Sequence, residues 1–468
     1  MLVPINLAGG TFKHKSLPLS AQVTRNFWPQ KQEDEKAKSS YVMASFAGLT
    51  LFGTASGADR GMFEHRDVLY KVTGTTLYSV NSAGTHTSLG TIPDSTRCIF
   101  APIGTSLVIV TNGHVYIWNG TVITEVTDSD LESPNSAAHL NNQIIYDGDQ
   151  GRYAVSDVSD AATINSLNYG TAEAVADDSV RVFSYNQTLF VFGKRSIEPF
   201  WNDGSGNPPF TRVETGIVNI GLAALHSVAS NDSYIYFLGD DDQVYAMQGY
   251  NAVPISPLPL SRTLSEYDVT EDAFGFCFTH EGRNFYLITF PTENKSWIYQ
   301  EGGEWFELSS GTDGGRWIAN SHAFCYRKNL LADYRNGNIY ELDGNTYTEN
   351  GATIIRTRVS PPLHGALLGA QFAGKTIEMS RFELIMETGV GLLSGQGSDP
   401  VVMLSFSDDG GRTWSTEMWG QVGALGEYQK KVEWYGLGRF ESRLIKISCS
   451  DPVDICIHSA AAEMDVCI

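Results

Sequence analysis

The segment with the most specific chemical pattern is GAQFAGKT at residues 369–376, which fits the phosphate-loop pattern G-x-x-x-x-G-K-[ST]. In nucleotide-binding proteins such a loop follows a buried strand and begins a helix, its lysine contacts the terminal phosphates, and its threonine binds magnesium. Here the preceding segment, VSPPLHGALL, contains two prolines, and the following TIEMSRFELIME fits both strand and helix periodicity. This context favours an ordinary loop before a strand. A P-loop NTPase that depends on Lys375 stays an alternative.

A second patterned segment is SDDGGRTW at residues 407–414, which resembles the Asp-box of sialidases and other β-proteins. The residues that match S-x-D-x-G-x-T-W are Ser407, Asp409, Gly411, Thr413 and Trp414. This spacing stabilises a turn, because the Asp and Ser side chains bond to turn amides and Gly tolerates a positive φ. In sialidases the box recurs on several blades, while an arginine cluster, a tyrosine and carboxylates elsewhere perform catalysis. Because the box occurs once here, we predict a structural hairpin.

Other candidates for metal or covalent chemistry are weaker. The acidic triplet Asp240–Asp242 lacks the alternating ligand spacing of a calcium loop, so we predict a solvated hairpin tip. The ten histidines show no HxH or HExxH spacing, the six cysteines show no CxxC spacing, and no G-x-S-x-G segment is present. We therefore predict buried thiols and no catalytic, cofactor-binding or metal site.

The elements that must position these residues follow a repeat. Pairs of β-branched and aromatic tetrapeptides, separated by Gly, Asn or Asp turns, predict hairpins, and Asn112-Gly113 and Asn336-Gly337 suit primed turns. Steps of 36 to 51 residues between the pairs indicate the four-stranded blades of a β-propeller, and weaker apolar segments before each pair would form the innermost strands. The seven pairs begin at Leu69, Leu107, Gln143, Leu189, Tyr234, Phe285 and Leu330.

The hairpin period ends near residue 350. The segments that follow are still strand-like and contain the Gly-rich loop GVGLLSGQGSDP, which predicts an antiparallel β-sandwich. Residues 1–40 do not fit the period, and the charge run EDEKAKSS at residues 33–40 predicts an arm or long loop. The predicted architecture is all-β, with an N-terminal arm at 1–40, a β-propeller at 41–350 and a β-sandwich at 351–468.

Composition excludes several classes of protein. The chain of 468 residues has 53 acidic and 32 basic side chains and a formal charge of −21, which argues against a basic face that grips nucleic-acid phosphates. Hydrophobic residues make up 42%, enough for a large buried core. The longest apolar runs fall far short of the ~20 residues that a bilayer span needs, so we expect no membrane-spanning segment. The N-terminus does not read as a signal peptide.

Three segments within residues 17–120 carry a likeness to a known family: LPLSAQVTRNFWPQK, SFAGLTLFG and TSLVIVTNGHVYIWNG. They resemble the tail hub or nozzle proteins of short-tailed bacteriophages, also called packaged-DNA stabilisation proteins. The rest of the chain agrees in length, repeat style and the DGGRTW hairpin. The resemblance implies a non-enzymatic structural protein of the virion tail, assembled in the cytoplasm of the host bacterium.

The resemblance also implies the partners of such a protein. Family members form a ring of six copies beneath the portal and its adaptor, extend the DNA channel, close it with a needle or plug, and carry tailspikes or fibres. Double-stranded DNA would pass through the lumen without sequence specificity. Besides the NTPase, a sialidase-like or glycan-binding propeller stays an alternative, and it expects arginines that converge on the propeller axis.

Overall fold

The computed structural model describes residues 1–33, 39–175 and 178–467. Strands dominate these residues, and the one α-helix among them is Leu258–Ser265. Most of the charge run predicted at residues 33–40 lies outside the described residues. No described helix has the length and apolar character to cross a bilayer. The chain divides into two compact units, here called the propeller unit (residues 51–293 and 318–342) and the sandwich unit (residues 1–50, 294–317 and 343–468).

The propeller unit contains five four-stranded antiparallel sheets, numbered as blades 1 to 5 along the chain. Their strands are Asp59–His65, Val68–Thr73, Thr76–Val80 and His86–Thr91 in blade 1; Ile99–Ile103, Ser106–Thr111, His114–Trp118 and Ile123–Glu125 in blade 2; Ala137–Leu140, Gln143–Asp147, Arg152–Ser156 and Ile164–Thr171 in blade 3; Ser179–Tyr185, Thr188–Gly193, Ile197–Asn202 and Phe210–Arg212 in blade 4; and Ala229–Ser230, Ile235–Leu238, Val244–Gln248 and Asn251–Pro254 in blade 5. The unit further contains Phe274–His280 and Arg283–Phe290 of blade 6, and Ala319–Cys325, Lys328–Asp333 and Ile339–Asp343 of blade 7, the last of which extends one residue past the division at 342.

The predicted tetrapeptide pairs form the second and third strands of these blades. In blade 2 the register joins Leu107 to Trp118 and Val110 to Val115, so that Asn112 and Gly113 form the turn with φ values of 47° and 78°. These positive values are what a primed hairpin turn requires, and the right-handed twist of the two strands favours it. The hairpin prediction is confirmed here.

The turn predicted at Asn336-Gly337 is wrong, because neither residue has a positive φ. The connection between the strands of blade 7 is a longer loop that folds around the buried carboxylate of Asp333. That carboxylate accepts bonds from the Arg335 amide (2.8 Å) and from Asn336 Nδ2 (3.0 Å). Gly337 is required for close approach, since a Cβ atom there would lie 2.0 Å from the carbonyl oxygen of Ala55.

Successive blades share buried apolar clusters. The cluster of blades 1 and 2 contains Val72 and Leu107, and that of blades 4 and 5 contains Phe192 and Phe237. Leu330 of blade 7 shares a cluster with Leu69 of blade 1. Because the last blade contacts the first, the seven blades of the described chain close into a ring.

The sandwich unit contains two sheets. The first is formed by Leu2–Ile5, Phe27–Lys31, Tyr41–Ser45, Ile377–Met386, Val432–Phe440 and Cys456–Val466. The second is formed by Phe12–Lys13, Ala21–Arg25, Lys295–Gln300, Trp305–Glu307, Arg356–Val359, Leu363–His364, Val401–Ser407, Met418–Gln421 and Ser442–Cys449. Three short strands remain: Gly48–Gly53, Thr348–Glu349 and Ala352–Thr353. The first of them spans the division between the two units at residue 50.

Apolar side chains of both sheets meet in one core. Met379 and Phe382 of the first sheet share a buried cluster with Leu404, Ile445 and Ile447 of the second. Two sheets with such a common core form a β-sandwich. N-terminal strands pair within this unit, Leu2–Ile5 with Cys456–Val466 and Ala21–Arg25 with Arg356–Val359. The domain boundaries at residues 40 and 350 stay predictions.

Candidate functional site

The phosphate-loop segment lacks the elements that nucleotide binding needs. Residues 369–376 contain the short 3-10 turn Ala370–Phe372 and lead directly into the strand Ile377–Met386, where a P-loop would begin a helix. Burial alternates along that strand, with Ile377 buried and Glu378 exposed, as expected for a strand with one face on the core. Lys375 is exposed. The segment is a loop before a strand.

The Asp-box segment forms a hairpin turn after the strand Val401–Ser407. One carboxylate oxygen of Asp409 accepts bonds from the amides of Arg412 and Thr413, both at 2.9 Å, and the other accepts a bond from Thr413 Oγ1 at 2.6 Å. Ser407 Oγ donates to Asp409 (2.7 Å) and accepts from the Gly411 amide (2.8 Å). Four of the five predicted residues therefore meet in one hydrogen-bond network around the Asp409 carboxylate.

Trp414 lies beside this network. Its ring packs against the small apolar cluster of Ala21, Val359 and Leu444, and Lys446 Nζ lies 4.8 Å from the ring centroid. Gly411 has a φ of 88° and approaches the same cluster. The arrangement presents neither a nucleophile nor an acid–base pair to a substrate, because the hydrogen bonds of Ser407, Asp409 and Thr413 stabilise the turn.

Asp408, the first variable position of the box, has a partner that the sequence did not indicate. Both of its carboxylate oxygens accept bonds of 2.7 Å from the guanidinium of Arg443, which is 2% exposed. The same guanidinium lies over the rings of Phe406 (4.0 Å) and Phe440 (4.3 Å). This bidentate pair ties the hairpin to the neighbouring strand. The sequence could have indicated this pair only if the pairing of strand Ser442–Cys449 with strand Val401–Ser407 had been known.

Replacing Asp409 with alanine is expected to lower the midpoint of thermal unfolding by about 2 to 4 °C, because the turn loses its common acceptor. Hydrogen bonds from the side chain and amide of Thr413 and from Ser407 hold the pKa of Asp409 well below its usual 3.8. A lowered folded-state pKa contributes stability above the unfolded value, and this contribution disappears as the pH falls. The effect should therefore shrink in acid. Calorimetry at pH 7 and pH 3 measures it.

Asp399→Ala is the matched control, since this exposed carboxylate of the sandwich unit accepts a long bond of 3.4 Å from Gln421. Equal unfolding temperatures of the Asp409→Ala and Asp399→Ala variants would contradict a structural role for the box.

The acidic triplet Asp240–Asp242 belongs to the tip of a hairpin in blade 5. Asp240 accepts a bond from the Gly221 amide (2.9 Å), and Asp241 accepts bonds from Tyr245 Oη and Gln243 Nε2, both at 2.7 Å. Within residues 1–33, 39–175 and 178–467, no three His, Cys, Asp or Glu side chains are placed to hold a metal ion. The prediction of buried thiols is confirmed for Cys98, Cys325 and Cys449 but not for Cys277, Cys456 and Cys467, which are half-buried. Burial raises the pKa of the Cys98 and Cys449 thiols to about 11.

Two arginines lie near the propeller axis, where the sialidase-like alternative expects a catalytic cluster. The guanidinium of Arg97 lies 3.9 Å from the Phe274 ring centroid, and Arg181 Nη1 donates to the Leu225 carbonyl at 2.7 Å. Tyr286, which raises the pKa of Arg181, donates its hydroxyl hydrogen to the Ser227 carbonyl at 2.7 Å. A hydroxyl engaged in this way supports the backbone of blade 5 and is not presented as a nucleophile.

Two family models match the chain in succession. The model described as Bacteriophage P22 Gp10, beta-propeller, matches residues 1–347, and the model described as Bacteriophage P22 Gp10, beta-sandwich, matches residues 366–465. The chain belongs to the bacteriophage P22 Gp10 family. The predicted order of propeller and sandwich and the resemblance to phage tail hub proteins are thereby confirmed. As a member of this family, the chain is a structural protein of the phage tail.

Solved structures of other propellers are similar over part of the chain. The WD40 domain of Neurospora crassa Pan2 has 10% identity and a TM-score of 0.44, with 64% of this chain and 96% of that chain covered. Virginiamycin B lyase from Staphylococcus aureus has 11% identity and a TM-score of 0.43, with coverages of 61% and 94%. Similarity at this level has no bearing on function. No curated protein sequence matches the chain.

The Gp10-family propeller is expected to lose stability in weak acid through His322. Its ring centroid lies 5.7 Å from that of Phe276, its Nε2 is 3.0 Å from Asn329 Oδ1, and burial lowers its pKa to about 4. The folded state then binds fewer protons than the unfolded state between about pH 6.5 and 4, so stability is lost as the pH falls through this window. Because the His322 ring is only half-buried, we expect the free energy of unfolding to be about 1 to 2 kcal/mol lower at pH 5 than at pH 7.5.

Urea unfolding at pH 7.5 and pH 5 measures this loss, and His322→Gln should reduce the difference between the two values. Burial also lowers the pKa of His226, so the variant should retain part of the pH dependence. His114→Gln, at an exposed position beside Glu125, is the control. An unchanged pH dependence in His322→Gln would exclude His322 as a source.

Proposed function

We propose that the chain is a subunit of the tail hub or nozzle, which extends the DNA channel below the portal and adaptor, retains packaged DNA and passes it during ejection. The observation that carries this proposal is the succession of the two Gp10 family models over residues 1–347 and 366–465, nearly the whole chain. In this role the organisation would be an arm at 1–40, a propeller at 41–350 and a sandwich at 351–468. The Asp-box residues would serve a structural hairpin.

The proposed assembly is a closed ring of six copies, formed in the host cytoplasm and resident in the virion tail. Cyclic closure requires a heterologous interface, so two different faces of each subunit must be complementary. The adaptor would bind on one side of the ring, the needle or plug would close the other, and tailspikes or fibres would bind outside. A propeller and a sandwich suit such a role because rigid sheets present loops to several partners.

Charge supports a passive channel. Six copies with a formal charge of −21 each would carry 126 net negative charges. Acidic groups facing the lumen would repel DNA phosphates, whereas a basic lumen would bind them through counterion release. Unchanged ejection kinetics after substitution of lumen acids by lysine would contradict this part of the proposal.

Negative-stain imaging of the purified protein, alone and mixed with the adaptor of the same phage, tests the assembly. We expect ring-shaped particles that attach to the adaptor beneath the portal. Persistent monomers that never join the portal complex would contradict the proposal.

Lys375→Ala is expected to leave ring formation and infectivity unchanged, because Lys375 is exposed on a loop that precedes a strand. Plaque counts of a phage carrying the substitution, with the wild type as reference, measure infectivity. An ATP hydrolysis rate that is lost in the variant, together with lost infectivity, would instead support the NTPase alternative.

A further inference from the structure

A cavity of about 320 Å³ lies in the propeller unit, where blades 5, 6 and 7 present the turns between their first and second strands. Its wall includes Ser230 and Asp232 of blade 5, Thr279 of blade 6, and Phe324 and Asn329 of blade 7. Small-ligand sites enclose roughly 300 to 1,000 Å³, with aromatic or apolar walls and a few polar groups that orient the ligand. The volume and the lining of this cavity match that description.

The blade 7 side of the cavity carries an aromatic surface. Phe324 is 60% exposed, and it is the single exposed residue of the strand Ala319–Cys325, whose other side chains are buried or half-buried. The rings of Phe278 and His322 also line the cavity, with their centroids 5.8 Å apart. An aromatic ring that faces an open cavity can pack against the C–H groups of a ligand.

Several polar groups of the cavity have fixed orientations. Because Asn329 Oδ1 can only accept, His322 Nε2 must donate to it (3.0 Å), and Asn329 Nδ2 donates to the Thr279 carbonyl (2.8 Å). Thr279 Oγ1 in turn donates to Asn284 Oδ1 (2.8 Å), so that the lone pairs of this hydroxyl can still accept from a ligand. Burial lowers the pKa of His322 to about 4, so its ring is uncharged at neutral pH. These polar groups are therefore preorganised and neutral.

Asp232 supplies the charge of the cavity. Its side chain is exposed, and within the described part of the chain its carboxylate accepts no hydrogen bond and pairs with no cation. No arginine or lysine is found among the described residues that line the cavity. An anionic ligand would therefore be repelled, whereas a hydroxyl group of a ligand could form a charge-assisted hydrogen bond with the Asp232 carboxylate.

We propose that this cavity of blades 5, 6 and 7 binds a neutral saccharide. A sugar ring has C–H groups on its faces, which can pack against Phe324, and hydroxyl groups around its edge, which can donate to Asp232. The hydroxyl of Ser230 can both donate and accept, and that of Thr279 can accept, so further sugar hydroxyls find partners there.

Other classes of ligand fit the lining less well. Phosphate and sulfate would meet the Asp232 carboxylate without a cation to bind them. A quaternary ammonium ion could use Asp232 and the Phe324 ring, but it has no hydroxyl for Ser230 or Thr279. The site goes beyond the proposed tail function, because it lies within a single subunit. It also differs from the sialidase-like alternative, which expects arginines at the propeller axis and hydrolysis of the glycan.

A printed array of neutral, amino and acidic glycans, probed with the labelled full-length protein, tests the proposal. We expect binding to neutral glycans that share one terminal sugar, and isothermal titration calorimetry with the strongest of them measures the affinity. Phe324→Ala and Asp232→Asn should each weaken binding at least tenfold. Trp201→Ala is the matched control, since Trp201 of blade 4 is 50% exposed and lies outside the cavity, and it should bind as the wild type does.

An array on which no glycan is bound would overturn the proposal. Equal affinities of the wild type and Phe324→Ala would overturn it as well, because the glycan would then lie elsewhere. Saturable binding of tetramethylammonium without binding of any glycan would instead assign the cavity to an organic cation. Both substituted side chains are exposed, so the variants should fold, and circular dichroism verifies this. Ring assembly is scored separately by imaging, so failure of the tail proposal leaves this result unaffected.

Discussion

Replacing Asp59 with alanine is expected to lower the free energy of unfolding of the propeller unit by about 3 to 5 kcal/mol. Asp59 begins the innermost strand of blade 1, and its Oδ2 accepts bonds from Asn320 Nδ2 (3.0 Å) and Ser321 Oγ (2.7 Å) of blade 7. Its Oδ1 lies 3.9 Å from Nζ of Lys71. The substitution would remove the acceptor that the first and last blades share.

The size of this effect follows from Lys71, which is fully buried. Its ammonium donates to the carbonyls of Gly337 (2.9 Å) and Asn338 (3.3 Å), and burial lowers its pKa, while Asp59 and Asp333 raise it. A buried ammonium that loses one of its two nearby carboxylates is far less stable than one that keeps both. The network therefore joins blade 7 to blade 1 at the point where the ring closes.

Urea unfolding measures the loss, and hydrogen exchange locates it, with blades 1 and 7 expected to lose protection before the other blades. Asp232→Ala, at an exposed turn of blade 5, is the matched control and should change stability by less than about 0.5 kcal/mol. Lys71→Met combined with Asp59→Asn should cost less than the sum of the single substitutions, because neither charge is then left alone. Purely additive costs would contradict direct coupling of the two residues.

The architecture could be predicted from the sequence because its signals are local. Two apolar strands around Asn112-Gly113 specify a hairpin within a dozen residues, and the repetition of such hairpins indicates blades. The turn at Asn336-Gly337 could not be predicted in the same way. Its conformation depends on Asp333, whose buried carboxylate accepts bonds from Arg335 and Asn336 of the loop and from Tyr340 of the following strand, and so replaces a tight turn with a longer one.

The buried charges could not be predicted from the sequence either, because their partners are distant along the chain. In the strand Arg356–Val359, the alternation of Arg and Thr suggests that Arg356 and Arg358 face solvent, yet both are fully buried. Their acceptors come from distant parts of the chain, such as the Asp451 carbonyl for Arg356. Arg97 and Asp408 were missed likewise, since a pattern along one strand does not reveal what lies opposite in space.

Substitution of Arg358 is expected to cause the second large loss of stability, because this residue connects the N-terminal segment of the sandwich unit to the strand Arg356–Val359. Its Nε donates to Leu7 O, its Nη1 to Gly10 O (3.0 Å) and Thr24 Oγ1 (2.8 Å), and its Nη2 to Gln22 Oε1 (2.7 Å). Burial lowers the pKa of this guanidinium to about 9, with Glu304 as an opposing influence. Arg358 is therefore a buried cation whose guanidinium donates to four acceptors.

Arg358→Met is expected to destabilise the sandwich unit by about 3 kcal/mol, since it leaves several buried acceptors without donors even as it removes a desolvated charge. Hydrogen exchange should show increased exposure of residues 7–24, the segment whose carbonyls and side chains the guanidinium binds. Arg358→Lys keeps the charge but not the planar arrangement of donors, so its loss should be intermediate. Arg439→Met, which removes an exposed pair with Glu378, is the matched control.

An Arg358→Met variant with unchanged protection of residues 7–24 would show that strand pairing alone fixes the N-terminal segment. The pairing of Val23 with Val359 and of Ile5 with Ala460 supplies that competing explanation. The two explanations differ in where protection is lost: loss of the guanidinium loosens the connection between the strands, where the Thr11 amide beside Gly10 donates to the Trp305 carbonyl (2.8 Å), before the paired strands themselves. Exchange resolved at single amides therefore separates the two explanations, and early exchange of the Thr11 amide is the result that assigns the connection to Arg358.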